Sequence, residues 1–270
     1  MPLVRIGRCG LTIVFALTSA FSIPAIAQVT QPGSQQPAQQ PEAGVEDNPT
    51  RTVFLSIRNE YRNLRNGAWN NRAILRKDVL VLKGKPVINR GLLLRADIPI
   101  TTTRVGSETK TGLGDLYGQM LYIPHITPRF AFVAGSGVVL PTATHKTLGF
   151  GKWQVAPLAA PVWFLSERRG FFLVRIQDFI SIAGVGDRPD IHILFVNPTL
   201  LFVPIKRWWV PVEIESRTNW KNEKKTDFRA GLGLGRAITP KFGLEVRFEV
   251  PFGGTRSGDW TIKVAVIRYK

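Results

Sequence analysis

The chain carries one cysteine in 270 residues, Cys9. It lies in a leader-like segment, so no disulfide, thiolate nucleophile or thiolate metal site can form downstream of it. Histidine is almost as scarce, with only His125, His145 and His192. No two of them have the i, i+4 spacing that sets a metal pair on one helix face, so no metal or other cofactor is expected. Carboxylates are outnumbered, 19 Asp and Glu against 36 Lys and Arg. Such a balance favours anionic neighbours. In an exported chain those neighbours are lipid head groups, and nucleic acid is not an expected partner. Beyond the leader no apolar run approaches the ~18 residues of a membrane helix. That excludes a helical span and leaves a barrel wall as the way through a bilayer.

The leader opens with Arg5 and Arg8, runs apolar over residues 11–21 and reaches Ala25-Ile26-Ala27. A charged start, a short apolar stretch and a small-x-small site read as a signal peptide over residues 1–27. Arg8 ahead of Cys9 does not suit lipoprotein processing. Residues 28–50 are rich in Pro, Gln and Gly, with almost no large apolar side chains. They read as a disordered linker. Residues 51–270 form the third region, and there the chain becomes strand after strand.

The pattern is sharpest over residues 241–252. Lys241, Gly243, Glu245, Arg247, Glu249 and Pro251 alternate with Phe242, Leu244, Val246, Phe248, Val250 and Phe252. Successive strand side chains point to opposite faces, so one face is strictly apolar and the other charged. A tilted strand of this length crosses a hydrocarbon layer roughly 30 Å thick. The same separation recurs at Val53–Arg62, Leu92–Thr101, Asp115–Tyr122, Phe172–Gln177, Trp208–Arg217 and Phe228–Gly235. Residues 72–83, 129–140, 152–164 and 190–204 separate less cleanly. Apolar side chains toward lipid and polar ones toward the lumen are the mark of a membrane barrel.

Connections sharpen this reading. Tight turns are expected at residues 125–128, 166–170, 205–208 and 239–241. Longer polar loops are expected at 104–112, 141–151, 184–189, 219–225 and 253–259, with 84–89 long for a turn. Short and long alternate, as periplasmic turns and extracellular loops do. The expected fold is all-β, a transmembrane antiparallel up-and-down barrel of about twelve strands with both termini periplasmic.

Several stretches together resemble one family. They are Gly112-Leu113-Gly114-Asp115-Leu116, Leu140-Pro141-Thr142-Ala143-Thr144, Leu148-Gly149-Phe150-Gly151-Lys152-Trp153, Pro157, Asn197-Pro198 and Ala230-Gly231-Leu232-Gly233. The chain resembles, over residues 51–270, the outer-membrane barrels grouped as the MetA-pathway of phenol degradation family. The resemblance implies an outer-membrane transporter for small or aromatic compounds. One departure is the end, Arg268-Tyr269-Lys270. Trp260, Ile262, Val264 and Val266 alternate well, but Tyr269 falls on the other parity. Either a bulge shifts the register there or the assembly signal is weak.

The candidate lumen-lining residues are Arg58, Glu60, Arg62, Arg95, Asp97, Asp115, Arg175, Glu213, Glu215, Arg217, Arg229, Glu245, Arg247, Glu249 and Lys263. Both signs occur in comparable numbers, and buried charges must be paired or wetted. Two readings remain open, a wet pore lined by opposed charges and an interior closed by salt bridges. Gly231, Gly233 and Gly235 fall on one strand face, leaving room for lumen contents or for a neighbour, or equally relieving curvature in a tight barrel. Ser181, His192 and Asn197 could be imagined as a hydrolase trio, but nothing in their spacing specifies one. The expected function is an outer-membrane channel passing small solutes, hydrophobic or aromatic ones included, by passive diffusion. The alternative is a non-conducting structural or lipid-hydrolase-like barrel. Expected partners are outer-membrane lipid, small solutes and, during biogenesis, the barrel assembly machinery.

Overall fold

A computed structural model describes residues 53–83, 91–127, 129–165, 169–253 and 255–269. The expected signal peptide, the linker and the 84–89 connection lie outside the described residues. The strands are β1 (Val53–Asn63), β2 (Trp69–Lys83), β3 (Gly91–Val105), β4 (Glu108–Leu113), β5 (Leu116–Ile126), β6 (Phe130–Leu140) and β7 (Lys152–Phe164). They continue as β8 (Gly170–Gly184), β9 (His192–Phe202), β10 (Trp208–Asn219), β11 (Lys225–Ala237), β12 (Phe242–Phe252) and β13 (Trp260–Tyr269).

Neighbours in sequence pair antiparallel, and β1 pairs with both β2 and β13 to close the wall. β4 and β5 share one place in it. β4 pairs with the far half of β3, from Ile100↔Leu113 to Val105↔Glu108. β5 pairs with the near half, from Gly91↔Ile123 to Asp97↔Tyr117. The result is a closed antiparallel twelve-strand barrel with one extra strand. The expected 104–112 loop is not a loop. The β3–β4 ladder continues to a two-residue turn, where Gly106 takes the positive φ of 60° that such hairpins favour.

The outward face is an apolar belt. Ile57, Ile98, Val212, Leu232 and Val246 are each at least 43% exposed. A continuous surface of this kind is stable in hydrocarbon, not in water. Aromatic side chains edge the belt at both ends. Tyr61, Trp69 and Trp260 cluster at the long-loop end, and Phe130, Trp163 and Phe172 at the end holding both barrel termini. Trp153 and Trp163 on β7 are both outward and exposed. The ten-residue rise between them, at ~3.4 Å per residue and a ~40° tilt, gives a band about 26 Å tall.

β6, β7 and β9 are three of the strands whose faces separate poorly in sequence, because both of their faces are largely apolar, as is the start of β8. Val133, Leu158, Val162, Leu173 and Leu201 are buried within the barrel, while Trp163, Phe172 and Leu200 face out. At the end of β13, Tyr269 keeps its inward parity. The register slips on β1, between Val53↔Tyr269 and Leu55↔Arg268.

Candidate functional site in the barrel interior

The inward side chains form distinct zones. At the terminus end lies an apolar cluster of Ala131, Val133, Leu158, Val162, Phe171, Leu173, Leu201, Trp209 and Ile267, against which Tyr269 packs. The expectation of a uniformly polar lumen does not hold there. Most of those residues are supplied by β6 to β9, with Trp209 from β10 and Ile267 and Tyr269 from β13.

Above the apolar zone the wall divides by side. From β10 round to β3 it is charged. Glu60 meets Arg58 at 2.6 Å and Arg72 at 2.7 Å. Arg76 grips Asp97 with two bonds of 2.7 Å, and Arg95 grips Asp78 with bonds of 2.9 and 2.8 Å. Arg247 reaches Glu213 and Glu245, each at 2.7 Å, and Trp209 Nε1 donates to Glu245 at 2.7 Å. Lys263 pairs with Glu249, and Arg217 with Glu215. Arg229 donates to Ser257 at 2.7 Å. Planar guanidinium–carboxylate pairs of this kind are the strong form of ion pair.

From β5 to β9 the wall is mostly neutral. Gln177 donates to the Tyr117 hydroxyl at 2.7 Å and to the Ala156 carbonyl at 3.2 Å. Arg175 donates to Gln177 and lies over the Phe195 ring at 5.3 Å. Tyr117, Val139, Ala156, Phe179 and Phe195 form a second buried cluster.

Every expected lumen residue points inward or sits partly buried between strands. Arg217 and Asp115 are half-buried and the rest are buried. Four charged inward residues escaped the sequence reading: Lys152 at the start of β7, and the β2 trio of Arg72, Arg76 and Asp78. The trio's alternation was blurred by Ile74 on the inward side and by Asn71 and Lys77 on the outward side. Period two from Asn70 to Asp78 was the available signal.

The two stretches most specific to the family resemblance meet in space. Asp115 sits between β4 and β5, and its carboxylate accepts the Ala143 amide at 3.1 Å and the Phe150 amide at 2.5 Å. Thr142 Oγ1 donates to the Gly114 carbonyl at 3.0 Å and accepts the Leu116 amide at 2.9 Å. The Thr144 amide donates to the Leu113 carbonyl at 3.0 Å. Leu148 is only 5% exposed, and a Cβ at Gly114 would stand 3.2 Å from its carbonyl oxygen. The 141–151 segment is therefore latched onto the barrel wall. The motif residues form a fastening, with the Asp115 carboxylate taken up by backbone amides.

The imagined hydrolase trio does not come together. Asn197 points inward and donates to the Ile214 carbonyl at 3.0 Å. His192 is on the opposite parity of β9, beside Asp178 at 3.1 Å. Ser181 Oγ accepts the Ile191 amide at 2.9 Å. Among the described residues no three His, Cys, Asp or Glu side chains gather as metal ligands.

No protein-family model matches the chain, and no curated sequence does. Solved structures do match. An outer membrane channel from Pseudomonas putida F1 superposes with a TM-score of 0.68 at 11% identity, covering 89% of this chain and 100% of that one. The NanC porin gives 0.55 at 12% identity, over 80% of this chain and 99% of its own. The KdgM porin gives 0.52 at 10%, over 79% and 97%. Likeness at these identities carries the fold. Together with the apolar belt and its aromatic edges, it makes this chain an outer-membrane β-barrel of bacterial type.

Proposed function

We propose that the chain is an outer-membrane channel that passes small solutes by passive diffusion, hydrophobic and aromatic ones among them. The observation that supports this reading best is the division of the inward wall. A solute with an apolar body meets the Phe195, Phe179 and Tyr117 side of the interior and then the Phe171, Leu173 and Trp209 zone. The charges across from it are already engaged with one another, so they orient a polar group without holding it. Conduction needs a site that is favourable to enter and weak enough to leave. In this reading the charged residues named from the sequence, Asp115 of the latch apart, line the interior together with Arg72, Arg76 and Asp78. The shared fold with solved channels and the MetA-pathway resemblance support the same reading. Residues 1–27 would direct export, and the barrel assembly machinery would insert the barrel.

A second reading has its own observation. Glu60, Arg247 and Glu249 are each 2% exposed, which leaves little room for water beside them. A non-conducting barrel with a salt-bridged interior follows from that closeness. The deciding experiment is planar-bilayer conductance of refolded protein, repeated with phenolic and with charged solutes. Steps in current that aromatic solutes block support the channel. A correctly folded barrel that never conducts supports the closed one.

A further inference from the structure

The end of the barrel that holds both its termini is basic. Arg129, Arg169, Lys206, Arg207 and Lys241 are exposed there, and among the described residues the carboxylates nearest that end, Asp78 and Glu245, are buried and face inward. The other end mixes signs, with Glu108, Asp187, Asp190 and Glu223 beside Lys110, Lys146 and Lys225.

Three more cations lie on the outward, lipid-facing parity at the same end: Arg236 on β11, Arg268 on β13 and Lys77 on β2. Arg236 lies over the Trp208 ring at 4.9 Å, and Arg268 over the Phe242 ring at 5.8 Å. Arg268 is directly opposite Phe242 in one ladder and Leu55 in the next, and Leu55 is opposite Lys77. The cations therefore recur on every second strand: Lys77 and Arg268 share a row about 10 Å apart at ~4.8 Å per strand, and Arg236 is displaced two residues along the ladder from that row. A cation facing hydrocarbon is costly at midplane and tolerated only near the interface. Stacking on edge aromatics fixes Arg236 and Arg268 at head-group depth, and the ladder through Leu55 puts Lys77 level with Arg268.

We infer that Arg236, Arg268 and Lys77 form a binding belt for the phosphate groups of anionic phospholipids in the leaflet at the terminus end. The phosphate would accept from the guanidinium edge while the glycerol backbone rests on Trp208 or Phe242. Lipid is the occupant because these side chains face outward from the wall, on the parity of the apolar belt and away from the interior. A soluble acidic protein docking on the turns would leave them untouched.

The test uses the folded barrel in phosphatidylcholine vesicles containing a minority of phosphatidylglycerol, with brominated acyl chains on one lipid or the other. Tryptophan quenching then reports the lipid next to the wall. Phosphatidylglycerol should be enriched about fivefold over its bulk share for each engaged cation at low salt. The Arg236→Gln/Arg268→Gln/Lys77→Gln variant should lose that enrichment, and Arg236→Lys/Arg268→Lys should keep it. Heat-modifiable gel mobility verifies that each variant is folded. Equal quenching by the two brominated lipids in the wild type would overturn the inference. So would enrichment that survives in the glutamine variant, or that inorganic phosphate abolishes, since the site would then take free phosphate.

Discussion

Trp209 on β10 lies flat against Gly235 on β11, where any Cβ would run into the indole ring. The same indole passes over Gly243, whose Cβ would stand 2.8 Å from it, and its N–H donates to Glu245. Pro211 and Glu213 follow along β10 in the same manner. A Cβ on Gly233 would meet Pro211 Cγ at 2.7 Å, and one on Gly231 would meet Glu213 Cγ at 2.9 Å. β11 thus presents a bare track inward, and its neighbour's side chains lie across it. This is why Arg247 on β12 can reach Glu213 on β10, two strands away.

Filling the track should cost packing. Gly235→Ala is predicted to destabilise the barrel by about 1–3 kcal/mol, because the indole has to leave its rotamer. Denaturant midpoints in lipid measure it. Trp209→Leu in the same chain should recover part of the loss, since the obstruction is then gone. Strictly additive effects would mean the glycine relieves strand curvature and has no part in seating the indole.

The latch makes a separate prediction. Asp115→Asn keeps the shape but leaves an amide NH2 facing one of the two backbone donors of Ala143 and Phe150. An unmatched buried donor costs about 1–3 kcal/mol, here charged to the 141–151 segment and not to the whole barrel. Trypsin should then cut after Lys146 faster, while heat-modifiable mobility stays normal. Unchanged cleavage would mean that Thr142 and Thr144 hold the segment without the carboxylate.

The barrel was legible wherever its two faces differed. On β12 and β13 every even residue but Arg268 is outward and apolar, so parity followed from alternation, and strand count from alternation together with the spacing of the connections. On β6, β7 and β9 much of the inward side is Ala, Val, Leu, Ile or Phe as well, and a period-two contrast disappears when both faces are apolar. The inner apolar zone was therefore invisible. The charged set was legible as a face, but its pairing was not, because Arg247–Glu213 depends on a glycine strand lying between them. The two motif stretches were conspicuous as sequence, and only the fold shows that one fastens the other.

Orientation in the lipid has a direct check. Val246 is 43% exposed in the middle of β12. Val246→Arg should lower folding stability in lipid by roughly 2–4 kcal/mol if that point faces the bilayer centre. A loss no larger than that of Val246→Thr would put the hydrocarbon elsewhere.

Sidedness follows from the connections. Thr144 and Asn222 are exposed at the long-loop end, and Lys241 at the opposite end. Cysteines placed at Thr144 and Asn222 should react with an impermeant thiol reagent on intact cells, and one at Lys241 should not. Labelling at Lys241 alone would invert the barrel in the membrane.

The last prediction separates a wetted interior from a closed one. Arg247 is 2% exposed, and it partners Glu213 and Glu245 on either side. Arg247→Ala removes the shared cation. Glu245 keeps the Trp209 N–H, but Glu213 loses the arginine that neutralises it. In a dry interior an uncompensated carboxylate costs roughly 3–5 kcal/mol, so the melting transition in lipid should fall steeply. In a wet one, water takes over the solvation, the transition barely moves, and ion selectivity drifts toward cations because a fixed positive charge has left the wall. Thermal stability and reversal potential measured on the same variant distinguish the two. A steep loss of stability with no conductance in either protein would rule out the channel and leave a barrel held shut by its own ion pairs.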